Sequence, residues 1–223
     1  MKRCVVFDLD GTLCDTSGDL LAAANAALAA LDRPERLNHS AVEDRATALR
    51  GGRAMLRLAL SRTGPVDEAL IDAGYQPLLD AYRAAICEHT TFYPGAREAV
   101  ARLRDRGDAV AICTNKPEGL ARLLMSELGA TDAFDALVGA DTLPVRKPDA
   151  APLMAAIERA GGAASRAVLV GDTETDRRTS TAAGVPSILV TFAPLGPAVA
   201  DLRPDALLHH FDQLEAALAV VGL

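Results

Sequence analysis

The feature that most constrains this chain is a short apolar run near its start that ends abruptly in two carboxylates. The run Cys4 to Phe7 is entirely apolar, and Asp8 and Asp10 follow it with Gly11 directly behind them. An apolar run of this length bounded by a turn signal indicates a buried strand. The period of two along a strand places both carboxylates on one side. Two converging anions are costly unless a cation lies between them, and hard oxygen ligands suit Mg²⁺.

A less specific interpretation of the same stretch is still open at this point. The run could be an ordinary strand followed by a turn, with Asp8 and Asp10 solvated or capping a helix. A calcium-binding loop fits less well, because that pattern needs a third ligand at Thr12 and a glycine in place of Leu13. The rest of the chain has to decide between a metal site and a simple turn.

From residue 93 onward the chain alternates between short apolar runs and longer stretches with helical spacing. The apolar runs at 109–113, 136–139, 167–170 and 187–190 predict strands, and a glycine directly follows each intervening helical stretch. Strands that alternate with helices of this length indicate a parallel sheet covered on both faces. The predicted fold is therefore α/β, a Rossmann-like doubly wound parallel sheet.

The segment between the first strand and residue 88 has a different character. It contains no credible strand, and its helical runs are separated by short glycine and proline breaks, with a helix cap expected at Ser17. We therefore predict two domains. Residues 1–15 and 89–223 form the α/β core, and residues 16–88 form an inserted α-helical cap.

Composition argues against several classes of function. The formal net charge is −7 and the pI is about 5.1, whereas a nucleic-acid or anionic-membrane surface needs a basic patch. Four cysteines without a CxxC pair or zinc-ligand spacing indicate free thiols in a reducing compartment. No apolar run is long enough to span a bilayer. We expect a cytoplasmic protein, a monomer or homodimer, without a nucleic-acid or membrane partner.

Other predicted strands also end in groups that can bind a metal or a phosphate. One runs into Thr114 and Asn115, and a later one leads to Asp172 and Asp176. Lys147 lies at the start of a helix whose first position is a proline. Because ligands bind beyond the carboxyl ends of strands in an open parallel sheet, we expect these groups to gather with the two aspartates of the first strand.

Four segments in this order resemble the signature motifs of the haloacid dehalogenase-like hydrolase superfamily. The helical cap is inserted after the first of them, and the resemblance covers nearly the whole chain. Four ordered motifs, each at a predicted strand end or helix start, are far more specific than any one of them. They are DLDGT at 8–12, TN at 114–115, KP at 147–148 and GDTETD at 171–176.

The resemblance implies a Mg²⁺-dependent phosphatase and a role for each matching residue. Asp8 is then the nucleophile that forms an aspartyl-phosphate, and Asp10 first protonates the leaving alkoxide and later deprotonates water. Mg²⁺ is held by the Asp8 carboxylate, the Asp10 backbone carbonyl and Asp172, with Asp176 supporting that shell. The residues expected to bind phosphoryl oxygens or to orient the loop or substrate are Thr114, Lys147 and Asn115.

The substrate is less well specified, because the cap has no comparable signature. The C-terminal segment 192–214 resembles the tail of bacterial phosphoglycolate phosphatases, which favours 2-phosphoglycolate and then other small phosphate monoesters. Arg50 and Arg53 flank a glycine break between cap helices, and either could bind a substrate carboxylate in bidentate fashion. The alternative for both is a solvated surface arginine.

Two other functions are still open. A β-phosphoglucomutase-like phosphomutase of the same superfamily usually carries valine where this chain has Thr12, and release of free phosphate without a sugar bisphosphate would favour the hydrolase. A non-catalytic binding module would keep the fold, but such members usually lose the nucleophile or a metal ligand.

Arg177 and Arg178 could meet a substrate anion or lie on a solvated helix face. The four histidines have no partners at metal or triad spacing and are expected to be structural or exposed.

Overall fold

The structure is a computed structural model that describes residues 2–223. The chain divides into two compact units, Met1–Cys14 with Phe92–Leu223 and Asp15–Thr91. The smaller unit therefore begins one residue before and ends three residues after the segment 16–88 predicted as the cap.

The larger unit is built on a single sheet, and all of its strand pairs are parallel. The strands, in chain order, are β1 Lys2–Phe7, β2 Cys14–Asp15, β3 Thr91–Phe92, β4 Ala109–Cys113, β5 Ala136–Val138, β6 Gly162–Gly171, β7 Ser187–Val190 and β8 Ala206–Leu208. The sheet has the order β5–β4–β1–β6–β7–β8, and β2 and β3 form a separate two-stranded sheet. The predicted doubly wound parallel sheet is confirmed.

Strand β1 lies inside the sheet, and its residues Cys4–Phe7 are apolar and fully buried. Val5 pairs with Val110 of β4 on one side and with Val168 of β6 on the other, and all three are fully buried. The chain fills one side of β1 first and then crosses to the other. Strand order therefore reverses at the end of β1, and ligands bind at such a switch point in open α/β sheets.

Helices cover the sheet and fill the smaller unit. In the larger unit, Leu153 and Ile157 pack against Val6 and Leu169 on one face of the sheet. No helix in residues 2–223 is long and apolar enough to cross a membrane. The helices are α1 Ser17–Ala30, α2 Val42–Ala48, α3 Gly52–Ser61, α4 Glu68–Ala84, α5 Ala96–Asp105, α6 Glu118–Glu127, α7 Ala150–Arg159, α8 Glu174–Ala183 and α9 Leu214–Val220, with 3₁₀ turns at Thr131–Ala133, Gly196–Leu202 and Phe211–Gln213.

The smaller unit is all-helical from α1 to α4, as its sequence predicts, and it contains buried charged groups. The Asp44 carboxylate is fully buried, accepts a hydrogen bond from the Asn38 N–H at 2.6 Å, and pairs with Arg62. Burial alone would raise the pKa of Asp44, but the hydrogen bonds from Arg62 and Asn38 outweigh it and hold that pKa below its usual value. The buried charge of Asp44 is therefore compensated within the smaller unit itself.

Three local predictions differ from the structure. Helix α7 begins at Ala150 with Asp149 as its N-cap, so Pro148 is not its first position. Helix α1 begins at Ser17, so Thr16 is the N-cap residue and Ser17 is not; Asp15 accepts hydrogen bonds from both the N–H and the hydroxyl of Ser17. Strand β8, Ala206–Leu208, was not predicted. Its three residues are too few to show the period of a strand.

Candidate active site

The turn after β1 places the Asp8 carboxylate at the carboxyl edge of the sheet. The Asp8 N–H still belongs to the sheet, because it donates to the Val170 carbonyl at 2.9 Å. Beyond it the chain turns sharply, with Gly11 at φ 81° and the Leu13 N–H bonded to the Leu9 carbonyl at 3.0 Å. The Leu9 N–H donates to Asp8 Oδ1 at 2.7 Å. The sequence Asp-Gly behind the strand thus fixes the direction of this side chain.

Lys147 joins the ends of β1 and β6 through two ion pairs. Its Nζ lies 3.0 Å from Asp8 Oδ2 and 2.6 Å from Asp176 Oδ1, and its side chain is 1% exposed. Burial by itself would lower the pKa of Lys147, but the two carboxylates outweigh it and raise that pKa above its usual value. The side chain is therefore a permanent buried ammonium group.

Both carboxylate oxygens of Asp176 have donors, Oδ1 from Lys147 and Oδ2 from the start of its own helix. Its Oδ2 accepts from the Thr173 hydroxyl at 2.6 Å and the Thr173 N–H at 3.1 Å, within a capping box at the start of α8. Lys147 outweighs the effect of burial and lowers the pKa of Asp176. The contact with Lys147 shows that Asp176 positions this lysine, and its predicted support of the metal shell stays a prediction.

Asp172 has one carboxylate oxygen satisfied and one left without a partner. The Thr12 hydroxyl donates to Asp172 Oδ1 at 3.2 Å. Asp172 Oδ2 is buried and has no hydrogen-bond partner among the described residues. Burial, with Asp176 and Asp8 nearby, raises the pKa of Asp172 well above its usual value. A buried acceptor without a donor is costly, so this oxygen is suited to a cation.

The described residues fit a divalent metal ion at this position. Asp8, Asp172 and Asp176 each offer a carboxylate oxygen, and these oxygens lie within 4.8 Å of one another. Carboxylate oxygens suit Mg²⁺, and three acids beside one lysine leave an excess of negative charge. Within the described chain Asp172 Oδ2 has no donor, so Asp172 is the side chain best suited to bind the ion directly, while Asp8 and Asp176 stay predicted metal residues. The Asp10 backbone carbonyl stays a predicted ligand.

The ionisation of Asp8 also depends on its surroundings. Burial raises its pKa to about 7, Asp176 and Asp10 act in the same direction, and Lys147 acts against them. A nucleophilic carboxylate has to be ionised, whereas burial in the protein favours the protonated form of Asp8. A divalent cation beside it favours the charged form.

The loop after β4 contributes three consecutive side chains. The Thr114 hydroxyl oxygen accepts from the Lys116 N–H at 3.2 Å, which leaves its own O–H as a donor. The Asn115 amide donates to the Lys147 carbonyl at 3.0 Å, so this residue orients the backbone that carries Lys147. Asn115 was predicted as both catalytic and substrate-binding; the contact shown is a positioning one.

Lys116 is a site residue that the sequence analysis missed. Its side chain is 4% exposed, and its Nζ lies 2.9 Å from Asp10 Oδ1. Each of the two aspartates after β1 therefore has a buried lysine partner, Lys147 for Asp8 and Lys116 for Asp10. The sequence contains one signal for it: lysine is rare in this chain, and Lys116 and Lys147 are two of only three lysines.

The two cap arginines lie in the smaller unit, and their predicted role is not tested there. Arg53 pairs with Asp72 at 2.5 Å and lies over the Tyr75 ring, 4.8 Å from its centroid. Arg50 is exposed. Both stay candidates for binding a substrate carboxylate, although Arg53 already has an acidic partner within its own unit.

Among the remaining charged residues, several have structural contacts. Arg177 bonds Asp205 at 3.1 Å and the Ser187 hydroxyl at 3.2 Å, which ties α8 to the strand beside it, while Arg178 is exposed. His210 lies 3.1 Å from Asp212. None of the four histidines belongs to a potential metal cluster of the described chain.

Comparisons with known proteins agree with this geometry. A family model described as haloacid dehalogenase-like hydrolase matches residues 2–184. A phosphoglycolate phosphatase of Mesorhizobium japonicum is 41% identical over 219 residues, covering 96% of this chain and 94% of the relative. A phosphoglycolate phosphatase of Agrobacterium fabrum is 38% identical over 218 residues, covering 96% and 91%.

A solved structure shows the same fold. The crystal structure of a protein described as a predicted phosphoglycolate phosphatase from Haemophilus somnus 129pt superimposes with a TM-score of 0.82 and 22% identity. It covers 96% of this chain and 97% of the other. At 22% identity the similarity shows a common fold only. The site residues are therefore assigned from the geometry of this chain.

Proposed function

This chain belongs to the haloacid dehalogenase-like hydrolase family, and we propose that it hydrolyses 2-phosphoglycolate to glycolate and phosphate through an aspartyl-phosphate on Asp8. The observation that carries the proposal is the meeting of Asp8, Lys147 and Asp172 at one sheet edge, from positions up to 164 residues apart in the sequence. The choice of substrate is supported by relatives named phosphoglycolate phosphatase at 41% and 38% identity.

In the first half of the reaction, an oxygen of Asp8 attacks phosphorus. The Asp8–phosphorus bond forms while the bond from phosphorus to the glycolate oxygen breaks, and Asp10 gives its proton to that leaving oxygen. The buried ammonium of Lys147, 3.0 Å from Asp8, offsets the repulsion between the nucleophile and the phosphate. The Thr114 hydroxyl supplies a neutral donor to a non-transferred oxygen.

In the second half, water replaces Asp8 on phosphorus. Asp10, which is now ionised, removes a proton from the attacking water, the Asp8–phosphorus bond breaks, and inorganic phosphate leaves. One carboxyl group therefore acts as acid and then as base. Asp176 and Asn115 take no part in bond changes in this scheme, because their contacts hold Lys147 in place.

A bound Mg²⁺ would supply charge neutralisation for the phosphoryl group and for the carboxylates that hold it. We propose Asp8 and Asp172 as its side-chain ligands, supported by the buried oxygen of Asp172 that lacks a donor. EDTA is expected to abolish activity and excess Mg²⁺ to restore it. Full turnover in the presence of chelator would contradict this assignment.

The substrate is tested by assaying the purified protein against a panel of phosphate monoesters. We expect kcat/KM to be highest for 2-phosphoglycolate, with free phosphate released and no requirement for a sugar bisphosphate. A hexose phosphate converted to its isomer, with a bisphosphate needed for activity, would show the phosphomutase alternative instead. A panel without any turnover would overturn the enzymatic proposal.

We also propose a cytoplasmic location, supported by four free cysteines, of which Cys4, Cys14 and Cys113 are buried. Burial, the largest influence, raises the pKa of the Cys4 and Cys113 thiols to about 12, so both are unreactive. The monomeric or homodimeric state stays a prediction.

A further inference from the structure

The distribution of lysine in this chain is uneven. There are three lysines and 20 arginines, and Lys116 and Lys147 are both buried at the carboxyl edge of the sheet. The third, Lys2, is exposed. Lys147 already balances Asp8 and Asp176. The mechanism above gives no role to Lys116.

The loop that carries Lys116 is fixed from several directions. The Lys116 N–H donates to the Thr114 hydroxyl at 3.2 Å, and its carbonyl accepts from the Ala140 N–H at 3.0 Å. Just beyond it, the Glu118 N–H donates to the Asp141 carboxylate at 2.7 Å. These bonds tie the loop after β4 to the loop after β5, so the fold itself sets where the ammonium group lies.

Stability alone is a weak reason for such a cation. A buried ammonium group loses its hydration, and a buried ion pair often stabilises a fold no better than well-packed apolar side chains do. Lys116 Nζ lies 2.9 Å from Asp10 Oδ1, and the Asp10 side chain is 14% exposed. The Asp10 side chain is therefore partly accessible, with the ammonium group of Lys116 in contact with it.

The chemistry of a two-carbon substrate places a second anion in the same region. To protonate the leaving oxygen, Asp10 has to come within about 2.6–3.2 Å of it. In 2-phosphoglycolate a single carbon separates that oxygen from the carboxylate carbon. A cation that touches Asp10 is consequently within a few ångströms of the substrate carboxylate.

We propose that Lys116 is a specificity residue, which binds the carboxylate of the leaving group and so selects short phosphate esters of acids. This inference rests on the proposed function and deepens it. The competing explanation is that Lys116 only neutralises and positions Asp10. The two differ in whether the loss of the charge depends on the charge of the substrate.

The test compares 2-phosphoglycolate with 2-hydroxyethyl phosphate, which has the same chain length but a neutral end group. We expect Lys116→Met to lower the ratio of kcat/KM for these two substrates by about 10- to 100-fold, the value of one charge-assisted hydrogen bond. The loss should fall mainly on KM for 2-phosphoglycolate. Lys116→Arg should recover part of the ratio, because the charge is kept.

Lys2→Met is the matched control, since it makes the same change in side chain and net charge at an exposed position at the other end of β1. It should leave both substrates unaffected. Lys116→Gln provides a second neutral variant should Lys116→Met fail to fold, and the same fall in the ratio is expected.

A loss of the same size on both substrates, or no loss on either, would overturn the role of Lys116 while leaving the proposed function standing. A wild-type protein that hydrolyses other monoesters but not 2-phosphoglycolate would overturn the proposed function, and this inference with it. The wild-type rates therefore separate the two failures.

Discussion

At the scale of the residue, the main feature of the site is that its buried carboxylates outnumber the cations that compensate them. Lys147 neutralises Asp8 and Asp176, and Asp172 is left with an oxygen that no donor satisfies. Burial makes each of these charges expensive unless it is paired. The unsatisfied oxygen of Asp172 is therefore the group of this site that most favours a bound divalent cation.

Replacement of the nucleophile is the most direct residue-level prediction. Asp8→Asn should lower kcat by at least about 10³-fold, because the amide cannot form the acyl phosphate. The side chain keeps its size and loses a costly buried charge, so the melting temperature should be equal or higher. Steady-state kinetics and thermal unfolding measure the two effects. Turnover near the wild-type rate would exclude the covalent route.

The cap arginines give a second prediction at this scale. If Arg53 binds the substrate carboxylate, Arg53→Ala should reduce kcat/KM for 2-phosphoglycolate far more than for an uncharged aryl phosphate. Asp72→Asn is the matched control, because it breaks the same ion pair but keeps the arginine. The same comparison applies to Arg50→Ala. Similar losses on both substrates would remove the cap arginines from the site.

At the scale of the element, the start of α8 has to approach the end of β6 very closely. A Cβ atom built on Gly171 would lie 2.4 Å from both Cβ and Cγ of Asp176. Only glycine allows this approach, which brings Asp176 to Lys147. The position of Lys147 therefore depends on the absence of one methyl group in a neighbouring strand.

Gly171→Ala should consequently disturb both stability and catalysis. We expect a loss of about 1–3 kcal/mol in the free energy of unfolding, from overpacking, together with a large fall in kcat as Asp176 moves. Gly119→Ala in α6 is the control, because nothing lies within 4 Å of its added Cβ, and it should be neutral or stabilising. Urea unfolding and kinetics of both variants test this; equal behaviour of the two would contradict the packing argument.

At the scale of the whole molecule, the raised pKa of Asp8 links stability, pH and metal binding. Its folded-state pKa of about 7 exceeds that of an unfolded aspartate. The proton is therefore held more tightly in the folded protein, and this contribution to stability is lost as pH rises through about 7. Metal binding needs the ionised carboxylate, so Mg²⁺ has to displace that proton below pH 7.

The increase in melting temperature produced by Mg²⁺ should accordingly be larger at pH 8 than at pH 6. Without metal, the protein should lose stability over that same interval. Asp8→Asn should weaken both trends, since it removes the titrating group. Thermal unfolding with EDTA or with Mg²⁺ at each pH provides the measurement, and a Mg²⁺ effect that does not vary with pH would show that Asp8 is not linked to the ion.

Much of this molecule is determined by local sequence pattern. The alternation of apolar strands and helices after residue 93 predicts the parallel sheet, because buried strands and amphipathic helices have different periods. The family follows from four short motifs, since each stands at a strand end or a helix start where the fold delivers polar groups to one edge. Asp8, Lys147 and Asp172 could therefore be named before any coordinates.

Only the tertiary structure decided which of these groups touch. The pairing of Lys116 with Asp10, the bond from Asn115 to the Lys147 carbonyl, and the engagement of Asp176 all join residues from separate elements or depend on close packing. A sequence pattern reports the chemistry and spacing of neighbours along the chain. Contacts across 29 to 106 positions depend instead on strand order and on distances of a few ångströms, which no local period encodes.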